Sequence, residues 1–237
     1  MAAAQPRSSA RPEHPLLRDR TAVAGCLVDM GSVLVDERRT WQRWQRIALL
    51  ELQAAGLSVD PRTLRRALRE GIAARQPRVT QAVLRDLGAD EALSARIRAR
   101  IENADRPLAD AATALERLSN QVPLVLVANQ GLHARALLEQ AGLGRYFQTL
   151  LLSAELGVSK PDPAIFRRGL AALDASPDRV AMIGDRLDFD IGPARQLGLL
   201  ALRVRRGPFC WQQPLTPQEC PHRTFPSLSA AAVWLAP

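Results

Sequence analysis

A doubly wound, Rossmann-like α/β core carrying an inserted α-helical unit is predicted by three observations. Short, continuous apolar runs recur along the chain with longer amphipathic segments between them. That is how strands buried on both faces of a parallel sheet read when helices connect them. From Glu37 to Asp105 the rhythm breaks, leaving helical patterns and no convincing strand. Finally, Asp29, Asn129, Lys160 and Asp185 all fall at or just beyond the carboxyl ends of predicted strands, where open α/β sheets bind ligands.

Residues 1–22 mix Ala, Arg, Ser and Pro without a central apolar stretch, so a disordered tail is expected and a secretory signal is not. Prolines at 6, 12 and 15 also spoil the long amphipathic helix of an organellar transit peptide. The core is assigned to 23–36 and 106–237, and the helical insertion to 37–105. Core strands are expected at Gly25 to Asp29, Val122 to Ala128, Thr149 to Leu152, Val180 to Gly184 and Leu200 to Val204. The intervening helices are placed at Leu132 to Ala141, Pro163 to Leu173 and Ile191 to Leu197, each bounded by turn residues. Within the insertion, TWQRWQRIALLELQAAG reads as the first helix, started by the negative charge of Asp36 or Glu37.

Composition narrows the classes. No apolar run approaches the ~20 residues needed to span a bilayer. Three cysteines at irregular positions, 26, 210 and 220, argue against a disulfide framework and point to free thiols in a reducing cytoplasm. A net charge of +8 invites an acidic partner, but the arginines are interleaved with Asp and Glu and only 4% of residues are aromatic, which argues against nucleic acid. A small anionic metabolite is the expected partner, and a monomer or homodimer the expected state.

Lys160 is the single lysine among 32 basic residues. A compact ammonium differs from a guanidinium fork, so a lone Lys in an Arg-biased chain suggests a site needing a point charge. Together with Asp29, Asn129 and Asp185 it makes a kit for phosphoryl transfer. Asp29 would attack phosphorus and form an aspartyl-phosphate. Lys160 and a cation would offset charge on the equatorial oxygens. Asp29, Asp185 and a main-chain carbonyl supply the hard oxygen ligands that Mg²⁺ prefers.

The segments VDMGSVLVDE, SKPDPAIF and IGDRLDFDIGPARQLG, in this order and spacing, resemble the first, third and fourth motifs of the haloacid dehalogenase (HAD-like) hydrolase superfamily, in the type with a helical cap after the first strand. The resemblance implies Asp29 as nucleophile and Lys160 as its basic partner. It also implies Mg²⁺ on Asp29, Asp185 and the carbonyl of Gly31. Asp188 and Asp190 are implied as outer groups that hold metal-bound water or orient Lys160, and Asp190 could equally cap the next helix. Substrate specificity in this family lies in the cap, which makes Arg43 and Arg46 candidate clamps on an anionic group. Trp41 and Trp44 read as packing.

Two departures bear on the chemistry. Where phosphatases of this family carry a second Asp two residues after the nucleophile, this chain has Gly31, removing an acid and base commonly worth ~10² to 10⁴-fold in rate. Ala128 stands where the second motif usually has Ser or Thr, so Asn129 and nearby amides are the remaining phosphate donors. Proton transfer to the leaving group then falls to Asp36, Glu37, another cap residue, water or the substrate. A Mg²⁺-dependent phosphatase of a small phosphorylated metabolite is the leading expectation. A catalytically weakened binding or regulatory protein and a dehalogenase-like hydrolase are the alternatives.

Overall fold

The computed structural model describes residues 13–236. Six strands form one parallel sheet: β1 (Gly25–Val28), β4 (Leu124–Ala128), β5 (Thr149–Leu152), β6 (Val180–Gly184), β7 (Leu200–Val204) and β8 (Arg223–Phe225). The spatial order is β5-β4-β1-β6-β7-β8. Thus the chain builds outward from β1 to β5 on one side, then crosses over β1 to build the other. This reversal beside β1 creates the crevice at the carboxyl ends of the strands. The remaining two strands, β2 (Val35–Asp36) and β3 (Arg106–Pro107), pair antiparallel as a short ribbon.

Strands β1, β4, β6 and β7 are buried at every position, and alternate side chains enter opposite layers. Cys26 and Val28 join the cluster under α5 (Ala111–Ser119), α6 (His133–Gln140) and α10 (Leu228–Leu235), whereas Leu27 joins the one under α8 (Pro163–Leu173) and α9 (Gly192–Gln196). A short helix, α7 (Ser153–Leu156), follows β5. Helix α8 begins where the sequence demands it: the Asp162 side chain accepts from Ala164 N–H, and Pro163 occupies the first turn.

Between the two strands of the ribbon lie four helices, α1 (Arg38–Ala54), α2 (Pro61–Ala73), α3 (Val79–Asp86) and α4 (Glu91–Ala99). They bury a separate cluster around Trp44, Leu52, Leu64, Leu84 and Ile97. Asp60 caps α2 by accepting from the N–H groups of Arg62 and Thr63, and Asp90 caps α4 through Leu93 N–H. Phe209, from the loop after β7, is buried in this same helical cluster and meets Trp41 edge to face at 5.9 Å.

Three features depart from the sequence reading. The disordered tail expected over 1–22 is ordered in its described part. Residues Pro15–Leu17 and Arg20–Ala22 form 3₁₀ turns, Leu16 is buried, and the His14 ring bonds Gly198 O at 3.0 Å. Residues 1–12, including the rest of that expected tail, lie outside the described residues. Strand β8 has no counterpart in the sequence reading, because two of its three residues are exposed at a sheet edge and carry no apolar run. Helix α9 is shorter than the expected Ile191 to Leu197, because Leu187–Ile191 is wound as a π-helical turn that precedes it. No helix among the described residues is long and apolar enough to cross a membrane. All three cysteines are unpaired.

Candidate active site

Asp29 is the first residue beyond β1, and its N–H donates to Ile183 O at 2.9 Å, fixing it between the two halves of the sheet. Its Oδ1 accepts from Lys160 Nζ at 2.6 Å. The same ammonium donates to Asp190 Oδ1, also at 2.6 Å. Lys160 is only 3% exposed. Burial works against its charge, but Asp190 and Asp29 outweigh it and hold the ammonium pKa above its ordinary value.

Local sequence explains this placement. Asn129 clamps the Lys160 backbone from both sides: its Nδ2 donates to Lys160 O at 2.7 Å, and Lys160 N–H donates to its Oδ1 at 2.8 Å. The Asn129 amide, expected to bind phosphate, therefore spends both ends of its side chain holding the lysine loop. Gly184 closes β6 with no side chain, and a Cβ there would collide with the Asp190 carboxyl. The π-helical turn swings Asp190 into that space, where its second oxygen accepts from Arg186 N–H at 3.0 Å.

Asp185 follows Gly184 and is buried beside the pair. Burial, then the negative charges of Asp29 and Asp190, push its carboxyl well above the usual carboxylate range. One oxygen from each of Asp29, Asp185 and Asp190 lies within 4.8 Å of the others. Three buried carboxylates facing one ammonium leave an excess of negative charge that a hard divalent cation would neutralise. Because both Asp190 oxygens already accept hydrogen bonds, the donors free for a cation are Asp29 and Asp185, with Gly31 lining the same cavity.

Asp188 does not reach Lys160. Its carboxylate pairs with Arg186 at 2.6 Å and accepts from Gln212 Nε2 at 3.0 Å. The Arg186 guanidinium lies over the rings of Phe189 and Phe209, at 3.6 and 4.1 Å. Buried Arg203, on β7, donates to the carbonyls of Asp185, Phe209 and Gln212 and so fixes the following loop against the site. These contacts are invisible to sequence reasoning, since the loop after β7 carries no motif.

Strand ends and helical insert together enclose a cavity of about 760 Å³. Trp41, Arg75, Arg78 and Thr80 form its upper wall. Arg75 is committed elsewhere, donating to Glu219 and to Gln213 O at 2.8 and 2.7 Å. Arg78, in a left-handed backbone conformation, has no side-chain hydrogen bond or ion pair to another described residue. The clamps expected at Arg43 and Arg46 do not line the cavity: Arg43 pairs with Glu102 at 3.3 Å, and Arg46 is exposed.

Glu37 is the residue whose placement differs most from expectation. It sits at the N-cap of α1, yet its side chain makes no capping bond. Asp36 takes that part by accepting from Arg38 N–H at 3.0 Å. The half-buried Glu37 carboxyl instead lines the cavity, accepting from Ser32 Oγ at 3.1 Å. Burial, with the charges of Asp105 and Asp29, pushes its pKa up to about 7 against the pull of hydrogen bonds from Ser32 and Gln130.

In comparison with known proteins, residues 23–198 of the chain match the family model of the haloacid dehalogenase-like hydrolases. The chain is 27% identical to a glyceraldehyde 3-phosphate phosphatase from Methanopyrus kandleri over 212 residues, covering 84% of this chain and 91% of that one. Among solved structures, a HAD phosphatase from Thermococcus onnurineus superposes with a TM-score of 0.61 at 19% identity, over 90% of this chain and 97% of the other. L-2-haloacid dehalogenase from Xanthobacter autotrophicus gives 0.57 at 19%, over 90% and 98%. The fold is therefore common to proteins of both chemistries, and the side chains must separate them.

Proposed function

The chain belongs to the haloacid dehalogenase-like hydrolase family, and from that premise we propose a Mg²⁺-dependent phosphatase of a small phosphorylated metabolite, working through an aspartyl-phosphate on Asp29. The observation carrying this reading is the buried constellation in which Lys160 bridges Asp29 and Asp190 while Asp185 stands alongside. A cavity of about 760 Å³ suits a small metabolite, and the phosphatase from Methanopyrus kandleri is in line with it.

In this reading Asp29 Oδ1 stays bound to Lys160, which orients the carboxylate and leaves Oδ2 to attack phosphorus. Asp29, through the same Oδ1 that Lys160 binds, Asp185 and the Gly31 carbonyl would hold Mg²⁺, which would supply charge neutralisation at the phosphoryl oxygens. Asp190 acts through Lys160 by holding its ammonium in place. Backbone amides beyond β4 stand in for the hydroxyl missing at Ala128, and Arg78 replaces Arg43 and Arg46 as the group meeting an anionic end of the substrate. The concentration of carboxylates around Asp29 favours a cation-assisted reaction over displacement of halide from a carboxylate substrate, which those charges would repel. Free thiols fit a cytoplasmic setting.

The test is hydrolysis of para-nitrophenyl phosphate by the purified protein with Mg²⁺ and with chelator, beside Asp29→Asn. Mg²⁺-dependent turnover lost in the variant is the expected result. Turnover indistinguishable from Asp29→Asn would instead support a binding or regulatory protein.

A further inference from the structure

We propose that Glu37 is the acid and base of this site, its carboxyl occupying the space that a side chain at position 31 would fill. The inference rests on the phosphatase reading above and goes beyond it by assigning the proton transfers that Gly31 leaves unassigned.

Three geometric observations carry it. A Cβ built on Gly31 would lie 2.9 Å from Glu37 Oε2 and 3.1 Å from both Cδ and Oε1. The Glu37 carboxyl thus stands within 3.1 Å of the point from which an aspartate side chain at 31, two residues beyond the nucleophile, would extend, and it lines the same cavity as Asp29 and Lys160. It is also oriented. Ser32 donates to Oε2 from a left-handed backbone conformation, φ 56°, with Gly207 packed so closely that a Cβ there would strike the Ser32 hydroxyl. A residue held at positive φ without being glycine is uncommon and collects at functional sites. Lastly, the structural alternative fails, because the helix start that Glu37 would serve is served by Asp36. A carboxyl turned inward, with no basic partner among the described residues, is difficult to explain by folding alone.

The chemistry balances in two steps. Asp29 Oδ2 attacks phosphorus, the bond from phosphorus to the ester oxygen breaks, and that oxygen keeps the electron pair and takes the proton of Glu37, leaving as an alcohol. The Glu37 carboxylate then takes a proton from a water molecule whose oxygen attacks the phosphorus of phospho-Asp29. The bond to Asp29 breaks, its electron pair returns to the carboxylate, and phosphate departs with Glu37 again protonated.

A leaving-group series tests this. Wild type and Glu37→Gln would be compared on para-nitrophenyl phosphate, phenyl phosphate and glycerol phosphate. Because kcat/KM reports the steps through departure of the alcohol, the variant should lose about 10² to 10⁴-fold on glycerol phosphate, less on phenyl phosphate and least on para-nitrophenyl phosphate. Loss of the base should also expose a burst of nitrophenol, stoichiometric with enzyme, before slow turnover. Glu37→Ala vacates the space beside Gly31, so adding Gly31→Asp should recover part of the glycerol phosphate activity. An equal fall on all three esters, no fall at all, or a double variant no better than Glu37→Ala would overturn the assignment. Wild-type protein that turns over none of the esters above Asp29→Asn would sink the phosphatase reading and the assignment with it, an outcome distinct from selective failure of Glu37.

Discussion

Lys160→Met removes one buried charge while keeping most of the side-chain stem, and the contacts of the ammonium set the size of the effect. It makes two charge-assisted bonds of 2.6 Å to carboxylates that are themselves buried. Breaking a buried pair from one side costs about 3–5 kcal/mol, because the partner charge is left uncompensated. Against the usual total of about 5–15 kcal/mol the variant stays folded but much weakened. Urea unfolding at pH 8 without divalent cation should show that loss in full. At pH 5 the loss should shrink, since Asp190, whose carboxyl burial already pushes up to about 6, takes up a proton and sheds its charge. A double-mutant cycle with Asp190→Asn should give a coupling of about 2–3 kcal/mol. Activity should fall by at least about 10²-fold. A loss below about 1 kcal/mol at pH 8, the level of an exposed pair, or an additive cycle would refute the reasoning.

The same geometry bears on pH, on metal and on the loop after β7. The raised pKa of Glu37 means that its share of stability is fully present below the unfolded value of 4.5 and is lost as pH rises through about 7; unfolding curves across that window should flatten in Glu37→Gln, and an unchanged profile would remove Glu37 as the titrating group. Mg²⁺ should raise the melting temperature, with stabilisation of about 2.7 kcal/mol at a hundredfold excess over its Kd, and Asp185→Asn should abolish the shift; an equal shift in both proteins would place the ion elsewhere. Arg75→Ala leaves Glu219 facing the insert without its cation, so a loss of about 1.5–3 kcal/mol is expected, together with faster proteolysis between residues 205 and 222; a loss near zero would show the Arg75–Glu219 pair to be incidental.

The sheet was legible where burial on both faces forces an unbroken apolar run, as at Leu124–Ala128 and Val180–Gly184. It was illegible where pairing relies on position alone. Two-residue strands such as Val35–Asp36 carry no periodicity, and Arg223–Phe225 is a short, mostly exposed edge. In the site, Asp29, Lys160 and Asp185 could be gathered from sequence because strand ends converge whatever the details of packing, whereas Asp190 came only with the resemblance of its motif. Arg43 and Arg46 stand on helix faces turned away from the cavity, a property of the whole α1 face that residue type alone does not reveal. They lie two and five residues beyond Trp41, about 200° and 140° around the helix from the one side chain of that turn which lines the cavity. The inward turn of Glu37 had no sequence signal other than the glycine at 31, whose meaning depends on a neighbour six residues away.

The loop that carries Phe209 and Glu219 gives the helical insert an attachment far in sequence from the two chain crossings at the β2–β3 ribbon. An exchange of residues 37–105 for the corresponding piece of a relative would leave Phe209 without its aromatic neighbour and Glu219 without its arginine. The transplantable unit is discontinuous and includes the segment after β7. For the same reason, substitutions that reshape the upper wall of the cavity are expected to be accepted in pairs, one in the insert and one near the far end of the chain, so that specificity in this protein is written in two places that must change together.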